Sequence, residues 1–357
     1  MSGAGPSNGS PPKRGRVRVP AVTLSHGGGG KAMHDLIDDV FLTAFDPDGP
    51  HPMEDQARCR LADLAALGDR LAVTTDSFVV RPLEFPGGNI GTLAVCGTVN
   101  DLAVGGAVPL YLTCAVIIEE GLPVDTLRGV ARSMAETARA AGVRVVTGDT
   151  KVVERGACDK LFVNTTGIGV IRAGIDLGVT KPRPGDVILV NGLLGDHGAA
   201  ILNARGDMAL TSPVESDCAA LHGLVGDLLA AAPDARFLRD PTRGGLAAVL
   251  NEIAEAAQVG VEIDEDQTPV RAEVKGFCEL LGLDPLYLAN EGKVVCVVPP
   301  GSADAALAAL RAHPLGRGAA RIGLVTDHHP GRVVMHTVFG GRRIVDMPVG
   351  EQLPRIC

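Results

Sequence analysis

Past a polar beginning, hydrophobic positions along the chain switch between helical and strand-like spacing. Met33, Leu36, Ile37, Val40 and Phe41 recur at three- and four-residue intervals and predict a helix, preceded by a short extended piece and a glycine-rich loop. The β-prone run RLAVTTDSFVV (70–80), interrupted by Asp76, predicts a strand. Residues 89–118 read as helix, turn and helix, then a strand. Residues 123–153 read as a capped helix and a strand ending at Gly148-Asp149-Thr150-Lys151, and 159–172 as another strand. Residues 173–185 look like a linker. Beyond it come the strand DVILVNG (186–192), a glycine-rich helix start, a turn feeding a helix over 237–257, and the strands VGVEI and KVVCVVPP. Alternation continues to about residue 340. Strands and helices mixed without strict βαβ regularity predict an α+β protein of two domains, 21–172 and 186–340. A disordered leader (1–20) precedes them, and a mobile tail (341–357) follows.

Composition sharpens this picture. Aromatic residues make up 3% of the chain and Trp is absent, so the cores must be aliphatic. A net charge of −9 argues against a nucleic-acid-binding surface, which needs clustered Lys and Arg. The basic run Lys13 to Arg18 sits in a Gly/Pro/Ser-rich leader and reads as a disordered terminus. There is no secretory apolar run, and the longest apolar stretches fall far below the roughly 18 residues that span a bilayer. Eight cysteines are scattered with no CxxC pair, most of them in or beside apolar segments. They read as small buried hydrophobes in a reduced, cytoplasmic protein. Cys357 is the exception: it ends the chain, where it cannot easily be core, and it is misplaced for prenylation.

Candidate chemistry centres on acids and glycines. Asp76 in TTDSF, Asp101 in VNDLA and Asp149 in GDTK each stand beside small polar residues. Gathered at strand ends, they would suit Mg²⁺, a hard ion that bridges carboxylates to phosphates; taken singly, each reads as a turn or helix-cap residue. The loop His26-Gly27-Gly28-Gly29-Gly30-Lys31 leads into a helix and could admit a phosphate to its backbone amides, or serve as a hinge. It lacks Walker spacing. Asp240-Pro241-Thr242-Arg243-Gly244-Gly245 reads as a second anion site or a tight helix cap.

Taken together, HGGGGK, TTDSF, VNDLA, GDTK, DPTRGG and NEGK resemble the ATP-using superfamily that includes aminoimidazole ribonucleotide synthetase and selenophosphate synthetase. The terminal PRIC narrows the resemblance to the hydrogenase-maturation carbamoyl dehydratases, and it covers the chain from about residue 21 to its end. It implies a two-domain PurM-like fold whose N-domain sheets pair across a homodimer. It also implies ATP and Mg²⁺, with Asp76, Asp101 and Asp149 as metal ligands. Gly27, Gly28, Gly29, Gly30, Asn100, Gly148 and Thr150 would join those aspartates around the nucleotide. Lys151 and Glu291 would stand at the carbamoyl group, Glu291 being the better base as an anion at neutral pH. Cys357 would carry the group, loaded by the carbamoyltransferase HypF. Dehydration to a thiocyanate would release ADP and phosphate, and the iron-carrying HypC–HypD complex would receive the cyanide. Selenophosphate synthetases carry a Cys or selenocysteine in the glycine loop, whereas positions 27–30 here are all Gly. Other expectations are a non-enzymatic thiol carrier or another ATP-using member of the superfamily; the acidic residues and glycine loop favour an enzyme.

Overall fold

Long alternating strands build the first domain in the computed structural model, which describes residues 15–46, 54–206 and 213–350. Helix α1 (Lys31–Leu36) runs on through a π-helical stretch, Ile37–Leu42. Then come β1 (Arg70–Phe78), α2 (Ile90–Val104), β2 (Ala107–Glu119), α3 (Val124–Ala140), β3 (Arg144–Val153) and β4 (Leu161–Ile171). The sheet order is β1-β4-β2-β3, with only the β2–β3 pair parallel. Alternate residues Leu112, Cys114, Val116 and Ile118 of β2 point into the core under α2 and α3. Helix α3 answers with Leu127, Val130, Ala131, Met134 and Ala138, an apolar stripe of period 3.6. The opposite face of the sheet is open: Leu71 and Val73 of β1 are 60% and 63% exposed, and Ile117 also projects there.

The expected helix, turn and helix over 89–104 is one helix. Asn89 caps it by accepting from the N–H groups of Gly91 and Thr92, and nearly every residue of α2 is buried. Gly97, in the middle of this helix, is where the Phe78 ring packs, since a Cβ there would lie 2.8 Å from that ring. Nor does β3 end at 148–151, because Lys151, Val152 and Val153 go on pairing with Ile117, Ile118 and Glu119.

No helix or strand lies between Ile171 and Val187. The second domain comprises β5 (Val187–Val190), α4 (Asp196–Arg205), α5 (His222–Ala231), β6 (Phe237–Arg239), α6 (Gly245–Ala257), β7 (Gly260–Asp264), α7 (Ala272–Leu281), β8 (Val295–Val298), α8 (Ala303–Ala312), β9 (Ala320–Thr326), β10 (Val333–His336) and β11 (Arg342–Ile344). Its sheet runs β11-β10-β7-β9-β5-β8-β6. The unbroken VILV of β5 is buried on both faces: Ile188 and Val190 meet α6, Val187 and Leu189 meet α5 and α8.

Both terminal boundaries shift. β11 pairs with β10 and Val345 is fully buried, so residues 341–345 belong to the second domain rather than to a tail. At the other end, Gly15 and Val17 donate N–H groups to Asp38 and Asp39, so residues 15–20 pack on the domain instead of forming disordered leader. The acidic helix face recruits the basic segment's backbone. Residues 1–14 and 351–357, including Cys357, lie outside the described residues.

Candidate active site

Where β1 crosses α2, strand alternation turns Thr74, Asp76 and Phe78 toward the helix. Asp101, near the C-terminal end of α2, accepts a hydrogen bond from Thr74 Oγ1 at 3.0 Å. Asp76 accepts the Ser77 N–H at 2.7 Å. Both carboxylates line a cavity closed from the second domain by Asp240, Thr242, Arg243 and Glu291. The 240–245 turn is therefore both the lead into α6 and a wall of the cavity. Its glycines are required: Gly244 and Gly245 have φ of 79° and 59°, and a Cβ on Gly245 would stand 2.5 Å from the carbonyls of Leu286 and Leu288.

Glu291 sits at the bottom, 2% exposed, with Oε1 lacking any hydrogen-bond partner. Its backbone is clamped. Asp217 accepts the N–H groups of Glu291 (3.0 Å) and Gly292 (3.3 Å) and pairs with Lys293 at 2.8 Å. Asn100 donates to the Glu291 and Ala219 carbonyls and accepts the Leu221 N–H. That side chain is thus used up in joining α2 to the second domain, which explains its burial without a nucleotide.

Electrostatics separate these acids. Burial, reinforced by Asp240, Asp217 and Asp76, pushes the Glu291 carboxyl well above its ordinary value. Asp240 is pushed up to about 7 by burial and then by Asp101. Asp101 is also raised, by burial first, with Asp76 adding. For Asp217, burial works upward but is outweighed by Lys293 and the Glu291 N–H, leaving it below the usual range.

Asp149 does not join this cluster within one chain. Asp76 aligns across the sheet with Thr165, Cys114 and then Gly148, so Asp149, one residue on, faces the open side. Three strand spacings put it about 14 Å away. There it pairs with Lys151 (Nζ–Oδ1 2.9 Å), which holds its carboxyl below the usual value. Lys151 is consequently remote from Glu291 as well, while Thr150 turns inward and is buried. The glycine loop lies on this same far edge, Gly27 packing so tightly on Val152 of β3 that a Cβ would come within 3.0 Å. Gly29 and Gly30 face open space, Gly29 with φ of 75°, while a Cβ on Gly28 would lie 3.6 Å from the Ser25 carbonyl.

Asp76, Asp101 and Asp240 offer only oxygen, and Arg239 and Arg243 offset part of their shared negative charge, a donor chemistry suited to a hard divalent cation. Among the described residues, no three acidic, His or Cys side chains converge closely enough to hold a metal unaided. That fits an ion like Mg²⁺, which completes its shell from phosphate and water. Two internal thiols are poor competitors for a nucleophilic role: burial drives Cys114 up to about 12 and Cys278 to about 11.

Known proteins settle the lineage. The family model "AIR synthase related protein, N-terminal domain" matches residues 54–171, and its C-terminal counterpart matches 183–336. Carbamoyl dehydratase HypE of Rhodobacter capsulatus is 62% identical over 341 residues, covering 96% of this chain and 99% of that protein. The chain belongs to the HypE family. A solved HypE in complex with ATP is 50% identical with a TM-score of 0.87, covering 94% of this chain and 99% of that one. The HypE of a HypE–HypF complex is 50% identical with a TM-score of 0.76, covering 78% and 90%. The two-domain PurM-like α+β fold is that of HypE. Within this HypE-family chain, the sequence reading passed over Asp217 altogether and favoured a cap for the Asp240 turn. Asp217 had no nearby motif to mark it, whereas the paired glycines after Arg243 were the available signal for a wall of the site.

Proposed function

We propose that this chain dehydrates a carbamoyl group held as a thiocarbamate on Cys357, consuming ATP and yielding a thiocyanate that supplies cyanide for [NiFe]-hydrogenase maturation. The observation that carries this reading is the buried, unpartnered Glu291 Oε1 in a cavity whose rim touches the base of the C-terminal segment. Pro348 rests on Gly244, next to Arg243, where a Cβ on the glycine would come 3.1 Å from the proline ring. From Pro348 to Cys357 is nine residues, a reach of at most about 30–32 Å.

The chemistry follows from the residues. The carbamoyl oxygen takes the γ-phosphoryl group of ATP and ADP departs. A first N–H proton is released to solvent as the O-phosphorylated imidate forms; the C–O bond then breaks with phosphate leaving, and the remaining N–H proton passes to Glu291 as the nitrile forms. A carboxyl of raised pKa is a stronger base once ionised than an ordinary glutamate. Arg243 is placed to meet phosphoryl charge at the rim. Mg²⁺ held by Asp76 and Asp101, with Asp240 beside them, would bridge to the phosphates and draw Glu291 toward its ionised form.

The glycine loop, Asp149 and Lys151 occupy the far edge of the same sheet, and the exposed apolar face between the two edges suits a second copy. A homodimer pairing these faces would let one chain's β3 edge complete the other chain's cavity, with Asp149 as a third metal ligand and Lys151 at the carbamoyl group. HypF is the partner that loads Cys357, and the HypC–HypD complex receives the cyanide, all in the cytoplasm.

Protein loaded with carbamoyl on Cys357 should hydrolyse ATP and gain the nitrile, as mass spectrometry of the C-terminal peptide reads directly. Equal ATP hydrolysis and nitrile formation by the Cys357→Ala protein would overturn the reading.

A further inference from the structure

Just ahead of the carrier segment, the second domain displays apolar side chains that nothing in the fold covers. Phe339 is 96% exposed at the tip of the β10–β11 turn, in a chain where aromatics are scarce. Val338, Ile344 and Met347 are exposed beside it in sequence, and Val349 is 87% exposed. Arg342 and Asp346 add exposed charge to the same stretch, and interfaces characteristically combine exposed apolar residues with polar ones. The turn itself is ordered by hydrogen bonds: Thr337 and Gly341 bond through their backbones, and Val338 N–H is accepted by Glu265. The backbone that presents Phe339 is therefore held in place.

Resting on the function proposed above, we propose that this turn and the following segment, 338–349, form the docking surface for the carbamoyl-transferring partner. The occupant is argued from the tether. Cys357 is only seven chain steps beyond Gly350, so the thiol stays within about 23–25 Å of Gly350. An enzyme that acts on the thiol must bring its own catalytic centre inside that radius, and the apolar surface it meets first is 338–349. Pro348, between Met347 and Val349, already lies on the cavity rim. A partner seated here therefore holds the thiol outside the cavity until it lets go. A second copy of this chain has the larger open sheet face of the first domain to pair with. The chain's own last residues would gain little by covering a surface outside the cavity they must enter.

The test compares Phe339→Ala with the unaltered full-length protein in two assays. In the first, purified carbamoyltransferase and its carbamoyl donor load Cys357, followed by mass spectrometry. In the second, Cys357 is carbamoylated chemically: cyanic acid adds across the thiol S–H to give the same thiocarbamate. ATP-dependent nitrile formation is then measured. The expected result is a KM for loading raised about thirtyfold, as loss of an anchoring aromatic gives, with chemically loaded protein dehydrated at the normal rate. Val349→Ser should weaken loading in the same direction, and thermal melting checks that both variants are folded. An unchanged loading KM overturns the proposal. So does a selective fall in dehydration, which would make the patch a seat for the chain's own tail, or a change in oligomeric state, which would assign it to a second copy. If even the unaltered, chemically loaded protein makes no nitrile, the dehydratase reading fails while the loading assay still decides the docking surface.

Discussion

Two acidic neighbourhoods, gathered at opposite edges of the first domain's sheet, behave in opposite ways. At the β1 edge, Asp101, Asp240 and Glu291 are sealed between domains and their carboxyl groups are all raised, burial being the first cause in each. At the β3 edge, Asp149 stands in solvent beside Lys151 and is lowered. The same residue type is thus pre-set for proton acceptance on one edge and for standing charge on the other. Domain closure makes the difference: the β1 edge meets the second domain, and the β3 edge meets only the glycine loop. A catalytic centre using both must draw them from different chains.

The strongest challenge to this contrast is Glu291→Gln, which keeps the shape of the cavity and removes its proton acceptor. Nitrile formation should fall about a thousandfold, with ATP binding and Cys357 loading intact. A normal rate would move the base to Lys151. Asp101→Asn should lower ATP turnover about a hundredfold while leaving carbamoyl loading unaffected, and loss of loading instead would detach Asp101 from the phosphates. The division between chains is tested by re-forming dimers from Asp101→Asn and Asp149→Asn proteins, each inactive alone. About half the dimers would be mixed and each would hold one intact site, restoring about a quarter of normal turnover. No recovery would mean that both edges serve one chain's own centre.

The smallest effect is on stability. Asp240 is raised in the folded protein, so its contribution is fully present below the unfolded value near 3.8 and is lost as pH climbs through about 7. For a fully buried group the whole swing is about 4 kcal/mol. In Mg²⁺-free buffer with a chelator, unfolding by denaturant at pH 5 and pH 8 should show this decline, and Asp240→Asn should flatten it. An equally steep decline in the variant would place the titrating group elsewhere.

How far the sequence disclosed this arrangement depended on burial pattern. β1, β2 and α3 each bury one side, so their periods of 2 and 3.6 were legible along the chain. Helix α2 is buried all round, which erases the period that would mark one continuous helix, and Gly97 within it makes room for the Phe78 ring. Asp76 and Asp101 were recognisable by their neighbours in sequence. That Asp149 looks the other way depends on strand register, a property of the pairing β1-β4-β2-β3 which no local motif encodes. Asp217 acts through Glu291 from 74 residues away, a separation that only the folded chain closes.

The contact of Pro348 with Gly244 has a kinetic consequence. A thiol leashed to the rim of its own active site experiences that site at an effective concentration on the order of 10 mM, whatever the amount of enzyme present. Dehydration is then a first-order event, and dilution does not slow it. Free thiocarbamates, scarce by comparison, cannot compete for the cavity, so the enzyme needs no pocket that recognises a small carbamoyl donor. Selectivity for the substrate resides in the leash.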